Sequence, residues 1–215
     1  MMPTSSPARP RQDRDRRVHE AVHEAVHALL SEQGMRLSME AVAARAGCSK
    51  QTLYAHYGCK QNLLRAVMRD QIAMTTVPFD EDGADLRESL LAFAERHLEQ
   101  LNRPHVIQTC RLIDAESHRF PDQARQIYED GIAALQDRLA EWLRKASARG
   151  QLRHDDPHAM AELLLGMIVG LDFERQRFHT PHRSDAPSRR RWAERTIDSF
   201  LRAFAVQRGS PESHV

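Results

Sequence analysis

Five side chains within seven residues carry the most specific chemistry in this sequence: Lys50, Gln51, Thr52, Tyr54 and His56. A cation, an amide, a hydroxyl, a phenol and an imidazole together supply donors and acceptors for base edges and a positive charge for phosphate. Helical periodicity turns these five outward and leaves Leu53 and Tyr57 to face a core. Lys60 follows at the start of another helix, where its charge and the free backbone N–H groups suit a phosphate.

The elements that position these groups are legible around them. The stretch Ser38–Lys60 reads SMEAVAARAGCSKQTLYAHYGCK. Its two short helices, capped by Ser38 and Ser49, are joined at Gly47-Cys48-Ser49 into a helix-turn-helix. Glycine stands where that turn needs a residue free of Cβ strain. Ahead of it, Val18, Val22, Ala25, Val26, Leu29 and Leu30 form the apolar stripe of a helix expected from Arg14 to Gly34. Behind it, Leu63, Leu64, Val67 and Met68 give a fourth helix from Lys60 to about Met74.

Composition bounds the rest. The chain has 215 residues, 41% hydrophobic and only 6% aromatic, and apolar residues recur at helical spacing throughout. Thr- and Tyr-rich alternation of the β kind is missing, so the fold is expected to be all-α. The longest apolar run, Met160–Leu171, contains Glu162 and is shorter than the ~20 residues a bilayer needs. With no apolar leader and only three cysteines, the sequence reads as cytoplasmic, without membrane contact. The near-neutral balance hides an asymmetry: residues 1–74 hold 11 Lys and Arg against 7 Asp and Glu, the remainder 20 against 23. A basic head on a mildly acidic body points to a polyanionic partner for the head.

Four segments are expected. Residues 1–13 form a disordered tail, 14–74 a DNA-binding domain, 75–208 a second helical domain, and 209–215 a C-terminal tail. Helices in the second domain are expected at 85–101, 104–118, 121–149, 156–177 and 188–206. The helix at 156–177 is apolar nearly all round, so it is central to a core or meets a partner.

The pattern Val42-Ala43, Ala46-Gly47, Ser49, Leu53-Tyr54, His56-Tyr57, Lys60 and Leu63-Leu64 resembles the DNA-binding domain of the TetR family of transcriptional regulators. RLIDAESHRFPDQARQIYEDG at Arg111–Gly131 is similar to the ligand-binding and dimerisation half of the AefR/AcrR-like subgroup. The resemblance implies an N-terminal three-helix domain, a C-terminal ligand-binding and dimerisation domain, and a recognition helix at Ser49–Tyr57. It carries DNA contacts onto Ser49, Lys50, Gln51, Thr52, Tyr54, His56 and Lys60, and a backbone phosphate onto Ser38. It also implies a homodimer through a four-helix interface of 156–177 and 188–206, reading a palindromic operator in double-stranded DNA. Glu40, Cys48 and Cys59 depart from the family pattern.

An effector pocket is expected among helices 85–177, with Phe93, His97, Cys110, Ile113, Tyr128 and Met167 as lining from their helical faces. His97, beside Phe93 and Leu101, reads either as an effector or metal ligand or as a hydrogen-bonded core histidine. His154, Asp155, Asp156 and His158 stand at a helix start, where capping explains the aspartates. No catalytic constellation, cofactor or metal is expected. Arg9, Arg11, Arg14, Arg16 and Arg17 suit either a minor groove or a solvated tail. The sequence thus reads as a regulator, most simply a repressor released from its operator by a small hydrophobic effector. The alternative is an architectural or cell-division DNA-binding protein on the same fold.

Overall fold

A computed structural model of the chain describes residues 9–79 and 85–206. Among them the secondary structure is helical, apart from one antiparallel bridge between Leu152 and Ala205. The expected C-terminal tail at 209–215 and residues 1–8 of the expected N-terminal tail lie outside the described residues. Helix α1 runs Arg9–Gln33, which places residues 9–13 in a helix rather than in the tail. Pro10 falls in its first turn, where a missing N–H costs no hydrogen bond.

By contacts the chain divides into two compact units. One runs to Met68 and resumes over Pro104–Ile127; the other holds Arg69–Arg103 and the described residues from Tyr128 on. Residues 104–127 therefore pack with the N-terminal unit, although the sequence groups them with the second domain. The turn signals near Pro78 mark a boundary along the chain, not the core on which each later helix packs.

The first unit assembles α1, α2 (Met39–Arg45), α3 (Lys50–Tyr57), the start of α4 (Lys60–Thr76), α6 (Pro104–Glu116) and α7 (Pro121–Tyr128). Its core is the expected stripe: Val22, Ala25, Val26, Leu29 and Leu30 of α1 meet Leu37, Val42, Ala43, Leu53, Leu63 and Val67. Burying a Leu or Val side chain contributes about 1.5–3 kcal/mol, so these positions fix how the short helices sit. Helix α6 packs against α1 within this unit.

The second unit is built from α5 (Leu86–Leu101), α8 (Ala134–Ala148), α9 (Pro157–Val169), α10 (Asp172–Arg177) and α11 (Ala186–Phe204). Leu90, Phe93, Leu98, Leu139, Leu143, Met160, Leu164, Ile168, Ile197 and Phe200 interlock in its core. Two expected helices are interrupted. The helix read over 121–149 contains a π turn at Glu129–Ala133 that includes Gly131. One extra residue per turn rotates the register, and Tyr128, expected to line a pocket, is exposed, as is Ile132. The helix read over 156–177 breaks at Gly170, between α9 and α10.

Candidate nucleic-acid interface

Local signals set the helix-turn-helix. Ser38 has an extended backbone, and its hydroxyl oxygen accepts from Ala41 N at 3.2 Å. Gly47 in the turn has a positive φ of 65°, which only glycine adopts without strain. Ser49 opens α3 as Ser38 opens α2: its hydroxyl oxygen accepts from Thr52 N at 3.0 Å and lies 2.8 Å from Thr52 Oγ1. Gly58 ends α3, its N–H donating to Tyr54 O.

Helix α3 then has one buried side and one open side. Leu53, 1% exposed, plugs it into the core, and half-buried Tyr57 packs against the same core. Lys50, Gln51, Tyr54 and His56 are exposed, and Thr52 is half-buried by its contact with Ser49. The open side therefore presents an ammonium, an amide, a phenol and an imidazole along eight residues. Lys50 Nζ lies 3.8 Å from Glu40 Oε1, with 64% of the Lys50 side chain exposed. A surface pair of that length is worth at most about 1 kcal/mol and yields readily to a phosphate.

The far end of α3 is tied to α1, since Tyr57 Oη lies 3.1 Å from His19 Nδ1. Arg16 and His56 share the lining of a groove of about 310 Å³ with Asp15, Val18, His19 and Tyr57. The start of α1 thus lies beside the end of α3.

Two of the expected contacts have other partners in the free chain. The Ser38 hydroxyl oxygen is the cap of α2, leaving its O–H as the group free to donate. Lys60 donates from Nζ to the carbonyl of Met35 at 2.6 Å, and burial pulls its pKa below the ordinary lysine value. Met35 N in turn donates to Glu116 Oε2 at 3.1 Å. Sequence reasoning missed Glu116, which nothing distinguishes from Asp114 in the run RLIDAE at Arg111–Glu116.

The expected effector lining divides between the units. Cys110 and Ile113 belong to the first unit, and Phe93, His97, Tyr128 and Met167 to the second. Phe93 is fully buried in the core, Tyr128 is exposed, and Met167 is half-buried against the core. His97 stacks parallel on Phe93, the ring centroids 5.8 Å apart, and has no hydrogen-bond partner among the described residues. Its ring retains some accessible surface although protein surrounds it, and burial pushes its pKa down to about 4. The imidazole is therefore neutral at pH 7. Phe79 continues the aromatic cluster, packing on Phe93 at 4.8 Å and on Trp142 at 4.4 Å.

Two short helices with a buried anchor and a polar outward face have the geometry of a DNA-binding helix-turn-helix. Comparison with known proteins agrees. Residues 24–67 match the model for bacterial regulatory proteins of the tetR family, and residues 88–206 match the AefR-like transcriptional repressor C-terminal domain. The chain belongs to the TetR family of transcriptional regulators. Among solved structures it is similar to the flavonoid-responsive regulator FrrA, at 30% identity and a TM-score of 0.66, over 89% of this chain and 98% of that one. It is also similar to a TetR-family regulator of Mesorhizobium loti, at 26% identity and a TM-score of 0.68, over 90% and 99% of the two chains. A TetR regulator of Agrobacterium tumefaciens shares the fold at 24% identity and a TM-score of 0.67, over 88% and 95%. No curated protein matches the chain significantly. No helix among the described residues is long and apolar enough to cross a membrane.

Proposed function

We propose that this regulator is a homodimeric repressor that holds a palindromic operator through the open side of α3 and releases it when a planar aromatic effector binds. The observation that carries the reading is the outward set Lys50, Gln51, Tyr54 and His56, fixed by Leu53 beneath it. Lys50 serves phosphate; Gln51, Thr52, Tyr54 and His56 serve base edges; Ser38 and Ser49 donate from their hydroxyls to the backbone. Arg16, beside His56, extends the contact toward the neighbouring minor groove.

One short helix reads few base pairs, whereas two related by a twofold read half-sites about 34 Å apart. Pairing of α9 and α11 with a second copy supplies that twofold. The buried side of α9 holds Met160, Ala161, Leu164 and Ile168, while Leu163 on α9 and Leu171 just after it are exposed. Leu171 is 67% exposed, an apolar surface better covered than solvated.

The effector class rests on two supports. FrrA is described as flavonoid-responsive. In this chain, neutral His97 lies flat on Phe93 within the aromatic cluster and offers one donor and one acceptor to a phenol. The description of the C-terminal family model supports the repressor role. Release requires the effector to favour the conformation that does not fit DNA, by a coupling of typically about 1–3 kcal/mol.

The test is titration of the purified protein onto its own upstream intergenic DNA at two salt concentrations, with and without a flavone. Tight binding that weakens steeply with salt and is relieved by the flavone is the expected result. Binding indifferent to the flavone contradicts the effector class, and absent binding contradicts the operator assignment.

A further inference from the structure

We infer that Glu116, at the end of α6, and Lys60 are positioning residues for DNA recognition: together they clamp the Gly34–Arg36 turn that sets the start of α2. The inference rests on the reading that α2 and α3 hold DNA. It assigns Lys60 to the protein's own backbone instead of to phosphate.

The turn is a single 3-10 step, Gly34–Arg36, between α1 and α2. Such a turn leaves backbone groups without helical partners, and buried ones need others. Here both backbone groups of Met35 are held by opposite charges. Its N–H donates to Glu116 Oε2 at 3.1 Å, and its carbonyl accepts from Lys60 Nζ at 2.6 Å. Glu116 Oε1 also receives Arg36 Nε at 2.9 Å. Glu116 is only 7% exposed, and a carboxylate so enclosed depends on partners of this kind.

The fit is close. A Cβ at Gly34, whose φ is +58°, would lie 2.7 Å from Glu116 Oε2 and 3.2 Å from Leu112 Cβ. A side chain at residue 34 would crowd the Glu116 carboxylate and Leu112, on a backbone conformation that itself favours glycine. From the turn the chain passes through buried Leu37 directly to Ser38, the cap of α2. Only Arg36 and buried Leu37 separate Met35 from Ser38. Helix α6 thereby holds the near end of the helix-turn-helix in place, although it is distant from it in sequence.

The experiment uses a duplex selected by the wild-type protein from randomised DNA, with a scrambled duplex as the non-specific reference. Glu116→Gln keeps the size and removes the charge; Lys60→Met keeps the stem and removes the head. Both are expected to weaken binding to the selected duplex at least tenfold, with scrambled-duplex binding and helical content unchanged. The salt slope is expected to stay at the wild-type value, because no phosphate contact is lost. A slope lowered by about one unit in Lys60→Met gives Lys60 to a phosphate and overturns the clamp. Affinity within twofold of wild type in either folded variant overturns it as well. Should Glu116→Gln lose helicity, Lys60→Met decides by the same criteria. Lys50→Ala, measured alongside, separates the two readings. If it leaves affinity and slope unchanged, the DNA-binding assignment of α3 fails; if it weakens binding while the clamp variants do not, only the clamp fails.

Discussion

The helix-turn-helix and the helices of the second unit are both all-α, yet they differ in how far their structure is written locally. In α2 and α3 every boundary has a local chemical cause: Ser38 and Ser49 as caps, glycine in the turn, Gly58 as the stop. Function there is a surface pattern over one buried anchor, Leu53. In the second unit Asp85, Asp156 and Asp185 likewise cap helix starts, but two of the expected helices are interrupted. A π turn and a break at Gly170 re-aim side chains that uninterrupted helices would have pointed elsewhere. The side chains proposed to meet DNA thus stand close together along one helix, whereas the core beneath them, like that of the second unit, joins residues far apart in sequence.

The sharpest way to break this contrast is to remove the anchor under the pattern. Leu53→Ala is expected to destabilise the protein by about 2–5 kcal/mol, through lost burial and a residual cavity, and to abolish operator binding. Thermal and denaturant unfolding with a binding titration reads both. If binding survives a large loss of stability, the surface pattern does not depend on its anchor.

The next effect belongs to the second unit and follows from His97. Its folded pKa of about 4 lies below the 6.5 of the unfolded chain, so the unfolded state binds the extra proton between those values. Stability is then complete above pH 6.5 and declines as pH falls toward 4, by at most about 3 kcal/mol. His97→Leu is expected to flatten that part of the curve. An unchanged profile would show that His97 is better solvated than its surroundings imply.

Leu163→Arg places a charge on the exposed side of α9 and is expected to raise the dimer dissociation constant at least tenfold, about 1.4 kcal/mol. Sedimentation at several concentrations reads it. A dimer that persists unchanged moves the interface away from α9.

Lys50→Ala is the smallest perturbation to folding and the most diagnostic for function. Stability is expected within about 0.5 kcal/mol of wild type, while the salt slope of DNA binding falls by about one unit and affinity weakens for all sequences. Together with Leu53→Ala it separates the surface from its support.

How much of this was legible varies with the range of the interactions. The outward placement of Lys50, Gln51, Tyr54 and His56 and the burial of Leu53 follow from one helical period. That Met35 O lies 2.6 Å from the Lys60 ammonium is not readable from the sequence, because the two residues are far apart along the chain. Glu116 was invisible for the same reason: its partners, Met35 and Arg36, are far along the chain. The exposure of Tyr128, expected to line a pocket, was not legible because a π turn leaves almost no trace in apolar spacing. Cys110 and Ile113 were grouped with Phe93 and Met167 from helical faces, which do not tell that they pack within the first unit.

The central claim is that two copies of α3 enter successive major grooves of one operator. A hydroxyl-radical footprint of the wild-type protein on its upstream intergenic DNA tests it most directly. The account calls for two symmetric protected patches, their centres about one helical turn, or roughly 34 Å, apart. A single patch, or uniform weak protection along the fragment, would contradict it.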